Sequence, residues 1–348
     1  MTFRVVQWTT GNVGRQSVEA IVAHPDLELV GCFAWSPDKA GRDVGELCGI
    51  APTGVLATAD VDALLGLKPD CVVYNPMWPD IDEIVRILES GANIVSTAAF
   101  ITGHSLGDGR RRIAEACARG QSSIFGSGIN PGFADLVAIV SASCCDRVDK
   151  VVVTETADIS GYDSPATELP VGFGRPMDDP ELPRMTASAT AVFEDAVRLL
   201  GDALGVEFDE VVCEAEYART TQDVDLGSWQ IAANHVAGIA ISWQGRIGGR
   251  TIVDLRVRWR KGQTLDPDWE INTGYVIEVQ GRPTIRTQID IAPPADFEWK
   301  TLGDFMVLGM VMTALPALNA IPGVVAAAPG IVTYTDLPLP LPRGRVRI

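Results

Sequence analysis

Histidine is scarce in this chain of 348 residues: His24, His104 and His235 are the only three. The seven cysteines (Cys32, Cys48, Cys71, Cys117, Cys144, Cys145 and Cys213) form no CxxC pair, and their number is odd. These shortages argue against a zinc site and a disulfide framework, and they suit a reduced, cytoplasmic setting. Basic residues are also in deficit, 28 Lys and Arg against 45 Asp and Glu, for a net charge of −17. Such a surface repels nucleic acid and anionic lipid. A locally positive pocket could still take one phosphorylated ligand. No internal repeat, low-complexity linker or N-terminal signal sequence stands out, since the chain enters a strand almost at once. One charge-free run, Phe305 to Val332, is long enough to cross a bilayer, but Pro316, Pro322 and Pro329 interrupt it. The sequence therefore predicts a buried helix with apolar turns there rather than a membrane anchor.

What is present is globular: 47% hydrophobic and 21% charged residues, in a chain longer than one hydrophobic core usually supports. The first 130 residues alternate strand and helix. "FRVVQW" reads as a strand and Val13–His24 as a helix. "LELVGCFAW" is a second strand, "DVDALLGL" a helix and "DCVVYNP" a third strand. "DIDEIVRILESG" (helix), "NIVSTA" (strand), "GRRRIAEACARG" (helix) and "SSIFG" (strand) continue the series. Strict alternation predicts a doubly wound parallel sheet. Beyond it, "DKVVVTETAD", "GRTIVDLRVRWRKG", "EINTGYVIEVQG" and "RPTIRTQIDIAP" are strands at hairpin spacing, with a helix over Ala187–Leu204. The fold class expected is α/β: an N-terminal Rossmann sheet, then an α+β domain with an open, mainly antiparallel sheet. The boundaries predicted are 1–134, 135–300 and 301–348, the last segment returning to the first domain. The "LPLPLPRG" tail should be an extended strap.

Between the first strand and first helix stands "TTGNVGRQS", a dinucleotide-type turn with one glycine missing in either frame. Read as GxGxxG, Thr9 replaces the first glycine; read as GxxGxxG, Ser17 replaces the last. Both frames keep Gly11, for close approach of phosphate, and Gly14, for close packing of helix on strand. Thr10, Gly11, Asn12, Val13, Gly14 and Arg15 are the expected pyrophosphate contacts. The second strand ends in "WSPDKAGRD", where Ser36, Lys39 and Arg42 suit a 2′-phosphate, favouring NADP(H). Asp38 keeps NAD(H) open. Later strand ends supply Asn75, Pro76, Thr97, Ala98 and Asn130 for the cofactor, with Gly128 and Gly132 shaping a second turn. Met77, Trp78 and Phe100 would line an apolar substrate wall. His104, Tyr162 and Asp158 are the proton-transfer candidates, with Glu155 nearby, because hydride transfer needs one such group. His235, in an apolar, helix-like stretch, reads as a core histidine. No metal ligands are expected.

Together these residues resemble the dihydrodipicolinate-reductase-like oxidoreductases, and more closely the branch of 2,4-diaminopentanoate dehydrogenase and native amine dehydrogenases. The matching pieces are "TGNVGRQ", "SPDKAGRDVGELCG", "YNPMWPD", "GANIVSTAAF", "GINPGF", "ETADISGYDSP" and "TALPALNAIPGVVAAAPGI". The resemblance implies a Rossmann domain, a substrate domain that supports a homodimer, and hydride transfer between nicotinamide and a C=N or C=O carbon. Two departures stand out. "TETADISGYDSPAT" holds neither the His nor the Lys of a dihydrodipicolinate reductase. Ala98, Ala99 and Phe100 stand where amine dehydrogenases of this branch carry an ammonia-activating glutamate, and the next Glu is Glu115. That absence leaves open a catalytically silent dinucleotide sensor or partner-binding protein as the alternative.

Overall fold

The structure, a computed structural model, describes residues 2–298 and 300–346. In chain order the elements begin with β1 (Phe3–Trp8), α1 (Asn12–Val22), β2 (Leu27–Phe33), α2 (Val44–Cys48), β3 (Ala57–Thr58) and α3 (Val61–Gly66). β4 (Cys71–Tyr74), α4 (Ile81–Glu89), β5 (Asn93–Ser96), α5 (Asp108–Gly120) and β6 (Ser123–Gly126) follow. Next come α6 (Ala134–Ala142), β7 (Arg147–Asp158), α7 (Pro165–Val171), α8 (Leu182–Ala189) and α9 (Val192–Leu204). The strands β8 (Glu210–Thr220), β9 (Val224–Asp225), β10 (Gln230–Ile231), β11 (Val236–Ile247) and β12 (Arg250–Arg260) succeed them. β13 (Leu265–Asp266), β14 (Gly274–Arg282), β15 (Ile285–Ile289), α10 (Leu302–Ala326) and β16 (Gly330–Val332) complete the series. Two compact units result, Met1–Phe133 with Gly309–Ile348, and Ala134–Leu308.

The first unit holds a seven-stranded sheet in the order β16-β6-β5-β4-β1-β2-β3, with every pairing parallel. Its first six strands reproduce the doubly wound 3-2-1-4-5-6 order, whose switch point lies between β1 and β4. Strands buried on both faces read as unbroken apolar runs, as all four residues of β4 do. Trp8, Tyr74, Ile84, Ile94, Phe100 and Ile124 form the main core. Two elements carried no periodic signal: α2, whose N-cap Asp43 accepts from Gly45 and Glu46 N–H, and the two-residue β3. The C-terminal β16 joins the sheet beside β6.

The second unit's sheet runs β13-β8-β11-β12-β7-β14-β15. Only β12 and β7 pair in parallel; the other pairs are antiparallel. Helices α6, α8 and α9 pack on it, Phe193 of α9 meeting Trp259 at 6.3 Å between centroids. The opposite pleat is polar: on β12, Asp254 is held by Lys150 at 2.7 Å and Arg256 at 2.6 Å.

Three expectations need correcting. Residues 187–204 are not one helix, because α8 ends at Ala189 and α9 begins at Val192, with the Thr190 side chain turned back onto the Thr186 carbonyl at 2.7 Å. His235 is not in a helix; it precedes the long strand β11 and is half-buried. Pairing with β8 and β12 along its length decides that stretch. Finally, Pro316 and Pro322 do not divide the late apolar run, since α10 continues through both for 25 residues. Each proline costs about 3 kcal/mol in a helix interior. Burial of Ala317, Leu318, Ile321 and Val324 offsets that in the second half, while the first half is largely half-exposed. This helix is long and apolar enough to cross a membrane by length and composition alone.

Candidate functional site

The glycine turn after β1 resolves the choice of frame. Thr9 has a φ of 73°, the left-handed region that glycine enters freely and a β-branched residue does not. Thr9 therefore occupies the first glycine slot of GxGxxG. Its N–H donates to the Phe33 carbonyl at 3.0 Å, and its carbonyl accepts from Gln7 Nε2 at 2.9 Å. A Cβ on Gly14 would stand 2.4 Å from that same carbonyl oxygen, so helix and strand could not close with any side chain there. Gly11 is the N-cap of α1, which has no side-chain cap, and a Cβ on Gly11 would meet nothing within 4 Å. The α1 N-terminus thus faces open space bounded by backbone, the form a pyrophosphate cradle requires. Exposed Gly11, Asn12 and Arg15 edge this space; Val13 is half-buried and Thr10 is buried.

Beside the turn, a hydrogen-bonded strap crosses the strand ends. Gln7, 0% exposed, donates to the Trp8 and Thr9 carbonyls and, at 2.8 Å, to Asn75 Oδ1. All three partners are acceptors, which fixes the orientation of its amide. Asn75 Nδ2 then donates to Thr97 Oγ1 at 2.8 Å. Three strands of the switch region, β1, β4 and β5, are tied by this chain, and two expected cofactor contacts lie on it. Gln7 was not foreseen: a lone Gln inside an apolar strand carries no motif, and only its neighbours reveal its role. Ala98 is buried with its N–H on Ser96 Oγ at 3.1 Å. Asn130 lies half-buried in the turn after β6, where a Cβ on Gly132 would meet Ser127 Oγ at 2.7 Å.

After β2, Lys39 Nζ lies 3.3 Å from Thr10 Oγ1 and links this loop to the glycine turn. Arg42 is exposed. The Ser36 hydroxyl donates to Asp38, and that bond holds the Asp38 carboxyl below the usual carboxylate range. Trp35, just before it, is 74% exposed. Pro76 is half-buried, while Met77 and Trp78 stand exposed on the β4–α4 loop. Phe100 does not join them: it is 1% exposed within the main core, a correction to its expected place on the substrate wall. A Cβ on Gly126 would lie 1.8 Å from the Phe100 carbonyl, so β6 presses directly on this turn. His104 opens a short 3-10 turn, its Nδ1 2.8 Å from Thr102 Oγ1.

In the second unit, β7 and β12 run parallel and end together, Asp158 opposite Arg260. Asp158 Oδ1 accepts from the N–H and hydroxyl of Ser160, and Oδ2 from Gln263. Tyr162 is half-buried, and its carbonyl accepts from Lys261 Nζ at 2.7 Å. Lys261, also unforeseen, is wholly buried and paired with Glu168 at 2.5 Å. Glu155 accepts from Trp259 Nε1 at 2.7 Å; burial, with this carboxylate beside it, drives the Tyr275 hydroxyl pKa far upward. Among the described residues no cluster of His, Cys, Asp and Glu could hold a metal ion.

The 2,4-diaminopentanoate dehydrogenase C-terminal domain model matches residues 133–344. An amine dehydrogenase of Streptomyces virginiae is 30% identical over 98% of each chain. A 2,4-diaminopentanoate dehydrogenase of Acetoanaerobium sticklandii is 25% identical, covering 74% of this chain and 70% of its own. The structure of an amine dehydrogenase from Mycobacterium smegmatis superposes with a TM-score of 0.80 over 99% of both chains at 17% identity, a shared fold. With the 3-2-1-4-5-6 sheet, these findings place the chain in the 2,4-diaminopentanoate dehydrogenase and amine dehydrogenase family, as an NAD(P)-dependent oxidoreductase.

Proposed function

We propose that this oxidoreductase prefers NADP(H), with NAD(H) as the weaker cofactor, and acts on a small, largely apolar amine, imine or ketone. The observation that carries the cofactor reading is the Gly11 cradle at the switch point, open to any group approaching the α1 N-terminus. Lys39 and Arg42 near the end of β2 support a 2′-phosphate; Asp38, already hydrogen-bonded to Ser36, is the opposing charge. The nicotinamide, when bound, exchanges the hydride. Thr10, Gly11, Asn12, Val13, Gly14 and Arg15 hold the pyrophosphate. Asn75, Pro76, Thr97, Ala98 and Asn130 form the edge along which ribose and nicotinamide lie. Met77 and Trp78 provide apolar substrate contact.

His104 and Tyr162 are the proton-transfer candidates of this reading. Asp158, with both oxygens engaged by Ser160 and Gln263, braces the loop of Tyr162 instead. The names of the relatives favour C=N chemistry, although Ala98, Ala99 and Phe100 offer no carboxylate to activate ammonia. Like its relatives the protein would act on a small molecule; we further propose a cytoplasmic homodimer, to which the half-exposed first turns of α10 could contribute. Stopped-flow titration with NADPH and NADH, then turnover on paired ketones with and without ammonia, tests the proposal. Tighter NADPH binding and ammonia-dependent NADPH oxidation are expected. Equal affinities would overturn the cofactor preference, and turnover unaffected by ammonia would assign ketone reduction. Light scattering on the purified protein tests the dimer.

A further inference from the structure

We propose that Lys261 and Glu168 form a positioning pair for the reaction: the buried ammonium fixes the loop carrying Tyr162, and so shapes the substrate side of the second unit. The inference rests on the reading above that Tyr162 meets the substrate. Lys261 is 0% exposed and Glu168 3%. The ammonium donates to the Tyr162 carbonyl at 2.7 Å and the Ile159 carbonyl at 3.1 Å, and it forms an ion pair with Glu168 Oε1 at 2.5 Å. The charge also stands over the Trp229 ring, 5.7 Å from its centroid. Residues 159–164 lie outside the helices and strands; the Ile159 carbonyl also accepts the Tyr162 N–H at 3.0 Å, whereas the Tyr162 carbonyl depends on the ammonium, and losing that donor would leave it without this bond. The chain just after β12 grips the same loop elsewhere. Ile159 N–H donates to the Arg260 carbonyl at 2.9 Å, and Gly262 N–H donates to Ser160 Oγ at 2.8 Å.

Stability alone is a poor account of the pair, because apolar side chains of similar volume often serve as well as a buried ion pair. An apolar replacement cannot clamp two carbonyls of one loop. Burial pushes the Glu168 carboxyl upward and the Lys261 ammonium downward in pKa, each opposed by the other partner. Asp163 and Asp158 also face the ammonium and favour its charged form.

The test compares the wild type with K261M/E168L, E168Q and Y162F. Four readouts are needed: melting temperature, NADPH affinity, steady-state kinetics on the best substrate of an amine and ketone panel, and hydrogen exchange at residues 159–164. K261M/E168L is expected to fold and to bind NADPH within about twofold of wild type. It should lose exchange protection at 159–164 and drop kcat/KM by about 10- to 100-fold, the range for misplaced positioning groups. E168Q, which keeps the shape and weakens the pair, should move in the same direction by less, and it carries the test if the double variant does not fold. Unchanged protection at 159–164 in a folded variant overturns the proposal without any substrate. Wild-type kinetics in K261M/E168L with a fall in Y162F overturns the pair alone. Wild-type kinetics in both variants overturns the pair together with Tyr162's assignment to the substrate.

Discussion

Replacing the two turn glycines one at a time should separate packing from ligand binding. Gly14 sits in the first turns of α1, where alanine would gain about 1 kcal/mol of helix propensity. Its added methyl would lie 2.4 Å from the Thr9 carbonyl oxygen, with Gln7 Nε2 a further neighbour at 3.2 Å. The carbonyl cannot retreat freely, because Gln7 bonds it at 2.9 Å and Thr9 N–H is tied to Phe33. Overpacking costs about 1–3 kcal/mol, and a contact of 2.4 Å with a tethered carbonyl belongs to the upper part of that range, about 2–3 kcal/mol, so G14A should be less stable by about 1–2 kcal/mol after the propensity gain. At about 2–4 °C per kcal/mol for a larger domain, that is a fall in Tm of several degrees. Gly11 is the opposite case: its Cβ would meet nothing, and its φ of −74° suits alanine. G11A should melt within a few degrees of wild type, losing under about 1 kcal/mol as an N-cap. On the proposed cofactor reading its methyl would take the space of the phosphate, raising the NADPH Kd by about tenfold or more, equivalent to about 1.4 kcal/mol. Differential scanning fluorimetry without cofactor and tryptophan-quench titration with NADPH read the two effects. A G14A protein melting with the wild type would refute the packing argument, and a G11A protein binding NADPH normally would refute the cradle.

The K39A/R42A double variant should weaken NADPH by about 10- to 100-fold, as expected for lost charge-assisted contacts, and NADH by about threefold at most; a uniform loss for both cofactors counts against 2′-phosphate recognition. Exposed Trp35 should report cofactor binding, so W35F should lose much of the NADPH-induced quench while keeping its Kd within about threefold; an unchanged quench would place the reporter elsewhere. Burial alone would raise the Asp254 pKa, but Arg256, Lys150 and Ser242 hold it below the ordinary value. Its contribution is therefore complete above the unfolded carboxylate range near about 4 and is lost as pH falls through the lower folded value. Because Arg256 is half-exposed, D254N should cost about 2–3 kcal/mol at pH 7 in urea melts, a deficit that shrinks toward pH 3; a constant deficit contradicts the linkage. Burial pushes the Cys32 and Cys117 thiols up to about 12, so a thiol reagent on native protein should reach exposed Cys144 first and these two only after denaturation.

Much of the first unit was legible because a parallel sheet buried on both faces must be written as apolar runs, and its phosphate turn must contain glycine where a Cβ cannot fit. Gly14 meets the second demand, while Gly11 leaves the α1 N-terminus open. Thr9 hid the frame, since its left-handed backbone is imposed by bonds to Phe33 and Gln7 rather than by its own preference. In the second unit, β11 was obscured by alanines and glycines, and β8 by alternating Glu and Ala, because packing against neighbouring strands decides such sequences.

By itself the amino-acid sequence determined the class of the fold and the kind of cofactor. Those follow from local periodicity and from glycines at a fixed spacing. Tertiary structure alone decided which polar side chains meet. Gln7 reaches Asn75 across 68 positions and Lys261 reaches Tyr162 across 99. A buried amide or ammonium must find its acceptors wherever the fold brings them, and no spacing rule along the chain records that.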